Sequence, residues 1–433
     1  MKRNLATRLG FILLAAVTFA PAAFAGGETF PVEGVWRGEF RVNGEPLPFN
    51  FEITGNRAEE SSFALINGSR RDYFNVEQRD DGTLWVVMNT YDAALEARIE
   101  EGSEGKRLVG HYRDLVPKRN GSSDLPFTAE HGQNWRFVEP GKDRGADADL
   151  DGKWAITNQD RSAGENQVAL LKQEGTRLTG VFMTVVGDTR ELEGSVQGDR
   201  FYLSHFSGPS PLLIRGTIED GEIQGAMSFG IYRINKFEGY KSNEVELPDP
   251  YKLTYLKEGY NTIDFTFPDL QGNPVSLSDD KYKGKVVIVE VIGTWCPNCT
   301  DQTQFLAPWF RENQHRGVEA VAVAFEQEDD FDYFQKILGR FKEFFDIRYD
   351  IVFGGIADKK VATEKLEGLN YMAAFPTTII IDRRGDVREI YTGYTGTVTG
   401  EYYDDYVRKF NARLDELIAE PDPYATEKVA LAD

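Results

Sequence analysis

Cysteine is nearly missing from this sequence. The 433 residues include only two, Cys296 and Cys299, and just two residues separate them. A disulfide between them would close a very small loop, which constrains the unfolded chain little, so stabilisation is a poor explanation for the pair. A C-x-x-C pair serves well as a redox couple, and we interpret it as one.

Paired metal ligands are also lacking. The acidic segment 147–152 reads D-x-D-x-D-G and could supply carboxylates to calcium, but Asn158 stands where such a loop needs a bidentate glutamate. We predict a solvated linker there, leave calcium binding open, and expect no cofactor or metal. The four histidines are scattered, without metal-ligand spacing: His111, His131, His205 and His315.

Positive charge is in deficit. Lysine and arginine number 49 against 70 aspartates and glutamates, which gives a formal net charge of −21. Such a surface repels nucleic acid and anionic membranes, so we predict no nucleic-acid partner.

The N-terminal apolar stretch is too short to span a membrane. It runs from Leu9 to Phe24, is broken by Pro21, and follows a basic start. Ala23-Phe24-Ala25 then offers a cleavage site, so residues 1–25 are predicted to be a secretory signal peptide. We expect a periplasmic or otherwise secreted protein, with no membrane insertion after cleavage.

A helical period is absent before about residue 300. Short alternating segments separated by turn residues predict antiparallel strands instead. Three segments recur at an offset of about 115 to 120 residues, which indicates an internal repeat: 33–36 with 151–154, 81–85 with 197–202, and 108–111 with 223–226. We predict two tandem antiparallel β-units, small barrels or sandwiches, at residues 26–145 and 146–245.

The sequence pattern changes after Leu247-Pro248, where the short alternating segments end. Residues 246–420 are predicted to form an α/β domain, with a flexible tail at 421–433. A hairpin comes first, and strands then alternate with helices, so we expect a partly parallel sheet covered on both faces. The predicted strands are 285–292, 318–325, 375–382 and 387–391, and the predicted helices follow Cys296 and cover 330–345, 357–366 and 401–418.

The cysteine pair lies where the first of these helices begins. The attacking species in disulfide exchange is a thiolate, and the unpaired N–H groups and dipole of a helix N-terminus favour one at Cys296. We therefore predict Cys296 as the nucleophile and Cys299, one turn further in, as the resolving thiol. Pro297 suits the first helical turn, and Trp295 offers a flat contact surface beside the pair.

The W-C-P-N-C motif after a buried strand, the F-P-T-T-I-I-I-D motif about eighty residues later and the preceding hairpin resemble the TlpA/ResA-like branch of the thioredoxin superfamily. The resemblance extends from Thr262 to Ile418. It implies a thioredoxin-like fold, with Cys296 as nucleophile, Cys299 as resolving thiol and a cis-proline at Pro376. The backbone of Phe375 would then pair with an extended substrate.

The resemblance also implies a reductant of proteins that contain disulfides or thiols, recharged by an upstream membrane thiol reductase. Many relatives carry a glutamate where this chain has Gln302. Thioredoxin itself places a buried acid where this chain has Glu290, so we predict that Glu290 accepts the proton of Cys299. The alternative is a Glu290 that merely reaches solvent at a strand edge.

Two other functions stay open. The β-units could bind a ligand while the thioredoxin-like unit serves as a scaffold, or the protein could be a peroxidase of the peroxiredoxin type. Peroxiredoxins place a threonine three residues before the attacking cysteine, whereas Thr294 lies two before Cys296 and five before Cys299. The sequence does not fix the direction of electron flow, which depends on reduction potentials, nor the role of the β-units or the oligomeric state.

Overall fold

The computed structural model describes residues 33–55, 61–102, 105–117, 124–159, 167–209, 211–230 and 233–424. The predicted signal peptide lies outside the described residues, as does most of the predicted tail. In the part of the chain that is described, no helix is both long and apolar enough to cross a membrane.

The first β-unit is a closed barrel of eight antiparallel strands in which each strand pairs with the next and the last returns to the first. Its interior is filled by large side chains, with Trp36, Phe40, Phe49 and Phe51 fully buried. The strands are β1 (Gly34–Val42), β2 (Glu45–Thr54), β3 (Ser62–Asn67), β4 (Arg70–Gln78), β5 (Leu84–Val87), β6 (Ala93–Gly102), β7 (Gly105–Asp114) and β8 (Leu125–His131).

The second β-unit repeats this meander. Its nine-stranded sheet closes on itself where β10 pairs with β11, and the two-residue strand β12 is added beside β11. The strands are β9 (Gly152–Asn158), β10 (Gln167–Glu174), β11 (Arg177–Thr184), β12 (Gly187–Asp188), β13 (Leu192–Gln197), β14 (Arg200–His205), β15 (Leu212–Glu219), β16 (Glu222–Phe229) and β17 (Arg233–Lys241).

The internal repeat is visible in the strand order. Without the short β12, both units have eight strands, and the three segments matched in sequence fall at β1 and β9, β5 and β14, and β7 and β16. Trp36 and Trp154 are buried at matching positions of the first strands. The prediction of two antiparallel β-units is therefore confirmed. The boundaries at residues 145 and 245 stay predictions, and both lie between the named strands.

The two barrels share part of a core. Phe206, just after β14, is fully buried among the aromatic side chains of the first barrel. Its ring stands edge-on to those of Phe40, Phe49 and Tyr112, at centroid distances of 4.9, 5.2 and 6.0 Å. Asn67 holds the same residue by its backbone, donating to the Phe206 carbonyl at 2.8 Å and accepting from its N–H at 3.2 Å. A side chain of the second unit, Phe206, thus fills part of the core of the first barrel.

The C-terminal domain has the predicted thioredoxin-like fold. A hairpin precedes a five-stranded sheet of order β22-β21-β20-β23-β24, in which β20 runs parallel to β21 and antiparallel to β23. The elements are β18 (Thr266–Pro268), β19 (Pro274–Ser276), β20 (Val286–Ile292), α1 (Pro297–Asn313), β21 (Val318–Glu326), α2 (Phe331–Phe344), β22 (Asp350–Ile356), α3 (Lys359–Lys365), β23 (Thr377–Ile381), β24 (Val387–Thr392) and α4 (Glu401–Ala419).

The edge strand β22 was not predicted. Its sequence contains Gly354-Gly355, a pair that is typical of turns. In the structure a side chain at Gly354 would meet the ring of Phe325 at 2.6 Å, so this glycine leaves room for the phenylalanine on the neighbouring strand. Strand β20 is buried along its whole length, as expected for the centre of the sheet, and leads directly to the cysteine pair.

Candidate redox site

Cys296 is the N-cap of helix α1. Its backbone is extended, Pro297 occupies the first turn, and its sulfur accepts a hydrogen bond from the Cys299 backbone N–H at 3.3 Å. Both thiols are free. Cys296 retains 5% exposure while Cys299 has none, so only the first sulfur is open to a substrate. Cys296 is thus the accessible sulfur of the pair and Cys299 the enclosed one.

The residues predicted to contact substrate meet around Cys296. The Phe375–Pro376 peptide bond is cis, and the Cys296 thiol donates to the Phe375 carbonyl at 3.4 Å. The Trp295 ring stands edge-on to that of Phe375 at a centroid distance of 5.6 Å, and its Nε1 donates to the Phe325 carbonyl at 2.9 Å. Trp295 and Phe375 therefore form a fixed aromatic border beside the reactive sulfur.

Glu290 lies in the middle of β20 and is completely buried. Its carboxylate accepts from the Thr303 hydroxyl at 3.3 Å and from the Tyr349 hydroxyl at 3.1 Å. Burial raises the pKa of Glu290 to about 8, and the two hydrogen bonds oppose this rise. The alternative of a Glu290 that reaches solvent is therefore wrong.

Cys299 stands one helical turn before Thr303, the hydroxyl of which donates to Glu290. Burial raises the pKa of the Cys299 thiol well above its ordinary value, the hydrogen bond and charge of Cys296 raise it further, and the charge of Glu290 adds to the effect. The resolving thiol is thus hard to ionise and lies within electrostatic range of a buried carboxyl group.

Gln302 is a buried residue of the same helix, α1. Its amide nitrogen donates to the Thr378 hydroxyl on β23. An amide at this position binds across to the sheet but cannot take up a proton at neutral pH, so Glu290 is the acid on this side of the helix.

Glu326 is a second buried acid, which the sequence analysis missed. It ends β21 and accepts both the backbone N–H and the hydroxyl of Thr294, each at 2.8 Å. Burial raises the pKa of Glu326 to about 8. These bonds fix the segment before Cys296 and commit the Thr294 hydroxyl to a carboxylate. The available signal was a glutamate directly after the apolar run that ends at Phe325.

The second barrel reaches the first turn of α1. Arg190 donates to the Pro297 carbonyl at 2.7 Å and to both carboxylate oxygens of Asp301, at 2.8 and 2.9 Å. The Asn298 side chain faces the backbone of Asp188, donating to its carbonyl at 3.2 Å and accepting from its N–H at 3.3 Å. These partners are more than a hundred residues apart in sequence, and the sequence analysis predicted none of them.

Charged residues of the first barrel also form ion pairs with the C-terminal domain. Arg70 donates to the two oxygens of Asp301 at 2.7 and 3.3 Å. Asp92 of the same barrel pairs with Arg340 of α2 at 3.1 Å. Both β-units are therefore in direct contact with the redox domain.

Among the described residues, no group of three or more histidine, cysteine, aspartate or glutamate side chains could hold a metal ion. In the acidic segment, Asp149 pairs with Lys241 at 3.1 Å, and Asp151 accepts from the Gln173 N–H at 3.1 Å. These contacts suit the predicted linker.

Comparison with known proteins gives matches to the C-terminal part of the chain. A family model described as the AhpC/TSA family matches residues 259–390. The thiol-disulfide oxidoreductase ResA of Geobacillus kaustophilus is 30% identical over 148 residues, which cover 34% of this chain and 75% of the relative. ResA of Bacillus cereus is 29% identical over 188 residues, which cover 43% of this chain and 90% of the relative.

One of the matching solved structures is a thiol:disulfide interchange protein of the thioredoxin family from Chlorobium tepidum. It is 19% identical, with a TM-score of 0.28, and the match covers 38% of this chain and 99% of that chain.

Proposed function

The chain belongs to the ResA family of thiol-disulfide oxidoreductases, and we propose that it works in the reducing direction, as an exported reductant of protein disulfides. The observation that carries the proposal is the placement of Cys296. Its sulfur caps helix α1, faces the Phe375 carbonyl and is the more exposed of two free thiols. A helix N-terminus favours the thiolate form that attacks disulfides.

The reaction takes two exchanges. The Cys296 thiolate attacks one sulfur of a substrate disulfide, so a mixed disulfide forms and the other substrate sulfur leaves as a thiolate. Cys299 then loses its proton and attacks the Cys296 sulfur. A Cys296–Cys299 disulfide forms, and the substrate departs with both of its sulfurs reduced. Two electrons pass from the protein to the substrate, and an upstream membrane thiol reductase returns them.

Glu290 accepts the Cys299 proton in the second exchange. The Cys299 thiol is fully buried and resists ionisation, so it needs a base close by. With a pKa of about 8, about a tenth of Glu290 is ionised at pH 7, and this ionised fraction, which grows as pH rises, can accept the proton. The Thr303 hydroxyl, bound to Glu290 and one turn along the helix from Cys299, offers a route between the two groups.

The substrate lies along the backbone at Phe375 and Pro376. An extended segment can pair there with main-chain groups, as peptides do when they add to an exposed strand. Trp295 and Pro297 provide the apolar surface on either side of Cys296. This mode suits a disulfide in a flexible or unfolded part of a protein substrate.

Export follows from the predicted signal peptide. The mature chain would work in the periplasm or otherwise outside the cytoplasm, where disulfides form and a dedicated reductant has substrates. Residues 26–145 and 146–245 would then serve as two β-domains before the thioredoxin-like domain at 246–420.

Insulin reduction tests the proposal with the mature full chain. We expect wild-type protein to speed the reduction of insulin by dithiothreitol, and Cys296→Ser to lose this activity. The Cys299→Ser variant should instead accumulate a mixed disulfide with its substrate, because nothing resolves it. An inactive wild type would contradict the proposal and favour a β-domain binder with an inert scaffold.

The direction of electron flow needs its own measurement. A reductant should show a reduction potential lower than that of glutathione and should fail to oxidise a reduced, unfolded protein. Rapid oxidation of that protein by the disulfide form would contradict the reductant role and leave the family chemistry intact.

A further inference from the structure

The second barrel is hydrogen-bonded to the helical turn that carries the cysteine pair. Between Cys296 and Asp301, the Pro297 carbonyl and the Asp301 carboxylate bind Arg190, and the Asn298 amide pairs with the backbone of Asp188. Three residues of this turn, Pro297, Asn298 and Asp301, are therefore hydrogen-bonded to the second β-unit. The barrel is thus part of the wall of the redox site.

Arg190 is built into this position. Only 3% of its side chain is exposed, and its Nη1 donates to the Ser207 hydroxyl at 2.8 Å. Its backbone is in the left-handed region, with φ at 60°, a conformation that costs free energy for a residue other than glycine. Asp188 secures that backbone by accepting the Arg190 N–H at 2.6 Å.

The Asp188 carboxylate also reaches the redox domain directly, accepting from the Gly396 N–H at 2.7 Å. One short segment of the barrel therefore binds both the helix that carries the cysteines and the loop that follows β24. This arrangement holds the guanidinium group of Arg190 in a fixed orientation against α1.

Asp301 explains why a cation is needed there. Its carboxylate is 6% exposed and lies on α1 five residues after Cys296. A buried negative charge on the helix that Cys296 caps disfavours a second negative charge on that sulfur, and burial reduces the screening by water. Arg190, helped by Arg70, cancels that charge.

We propose that Arg190 is a positioning residue of the redox couple, which holds the first turn of α1 and, by balancing Asp301, sets the reduction potential of Cys296 and Cys299. The inference rests on the proposed function. It gives the second β-unit a role in the chemistry: the barrel tunes how strongly the protein reduces its substrates.

The sign of the effect follows from the charges. The reduced pair contains the thiolate that Arg190 helps to stabilise, whereas the disulfide carries no charge. Removing the guanidinium group therefore destabilises the reduced form and makes the couple more reducing. In equilibrium with dithiothreitol, the reagent becomes its cyclic disulfide as two electrons reduce the protein disulfide, and this equilibrium should shift toward oxidised protein.

The test is Arg190→Gln in the mature full chain, equilibrated with mixtures of reduced and oxidised dithiothreitol and assayed by thiol labelling. We expect the equilibrium constant for reduction to fall tenfold or more, which is about 30 mV for a two-electron couple. Arg177→Gln is the matched control, because Arg177 lies in the same barrel, is half exposed and pairs with Glu193. Its potential should equal that of the wild type.

Two further variants separate tuning from simple support of the fold. Arg190→Gln with Asp301→Asn removes both charges and leaves no unpaired buried ion, so its potential should return toward the wild-type value. Arg190→Lys keeps the charge without the fork of donors and should lie between wild type and Arg190→Gln. Denaturant unfolding of each variant records stability separately.

A double variant whose potential stays as low as that of Arg190→Gln would overturn the inference, because the shift would then come from the lost barrel contact and not from the unbalanced charge of Asp301. If Arg190→Gln also folds and keeps the wild-type potential, the inference fails while the proposed function stands. A wild-type pair that never forms a disulfide would overturn the proposed function as well, so the two failures are distinguishable.

Discussion

Replacing Glu290 with glutamine removes a buried titrating group while keeping its size. In the folded protein the pKa of this carboxyl is about 8, against an ordinary value of 4.5, because the group is buried in β20. That difference corresponds to about 5 kcal/mol at 1.36 kcal/mol per pH unit. The figure is the most that ionising this one group can cost the folded state.

The sign follows from proton binding. Between pH 4.5 and 8 the unfolded chain loses the Glu290 proton while the folded protein keeps it, so rising pH favours unfolding. The stabilisation is complete below the unfolded pKa and is lost as pH rises through 8. We expect the free energy of unfolding of Glu290→Gln, relative to wild type, to rise by up to about 5 kcal/mol over this range.

The second readout of this variant is catalytic. About a tenth of Glu290 is ionised at pH 7 if its pKa is 8. The resolution of a mixed disulfide by Cys299 should therefore accelerate as pH rises toward 8 in wild type. Glu290→Gln should lose that inflection and slow resolution by a factor on the order of 10².

Stopped-flow measurement of mixed-disulfide resolution from pH 5.5 to 9, beside denaturant unfolding from pH 4.5 to 9, checks both readouts. Glu312→Gln is the matched control, since Glu312 lies exposed on α1. A resolution profile of Glu290→Gln that coincides with that of wild type refutes the proton-acceptor role. An unchanged pH dependence of stability refutes the protonated, buried state of Glu290.

Three other substitutions test the frame of the site. Glu326→Ala leaves the Thr294 N–H and hydroxyl without their acceptor and should cost roughly 2–5 kcal/mol of stability, measured by urea unfolding; a loss below 0.5 kcal/mol would contradict this. Gly187→Ala places a methyl group 1.8 Å from the Asn298 amide, so it should weaken the contact between the second β-unit and the first turn of α1 and speed alkylation of Cys296. An alkylation rate equal to that of wild type would show that this contact does not restrain the turn. Phe206→Ala should lower the free energy of unfolding of both barrels by about 3–5 kcal/mol. Calorimetry that shows one barrel unaffected would argue against their shared core.

The sequence predicted what local pattern determines. The β-branched run before the cysteines specified the central strand, and repeated segments at one offset specified two matching β-units. Cys296, Cys299 and Pro376 followed from motifs at fixed separation. Such features are written within a few residues of each other or recur in the same order.

Long-range electrostatics was not predictable in this way. Arg190 stands among short β-segments, where an arginine usually faces water, and its partner Asp301 lies 111 positions further along the chain. Glu326 was missed because the predicted strand ended one residue earlier, at Phe325. Strand β22 was missed because Gly354 resembles a turn residue, although it serves to admit the Phe325 ring. Each omission depends on a neighbour that only the folded chain supplies.

The aromatic plug at Phe206 affects how the protein can be dissected. A fragment that ends at residue 145 keeps the first barrel but lacks the Phe206 ring. Phe40, Phe49 and Tyr112 would then lose the neighbour that fills the space between them. The shortened barrel would open an apolar hollow that the intact protein does not offer. Binding of a hydrophobic dye or lipid by that fragment would therefore be a product of the cut, and the natural occupant of the first barrel is a side chain of the second.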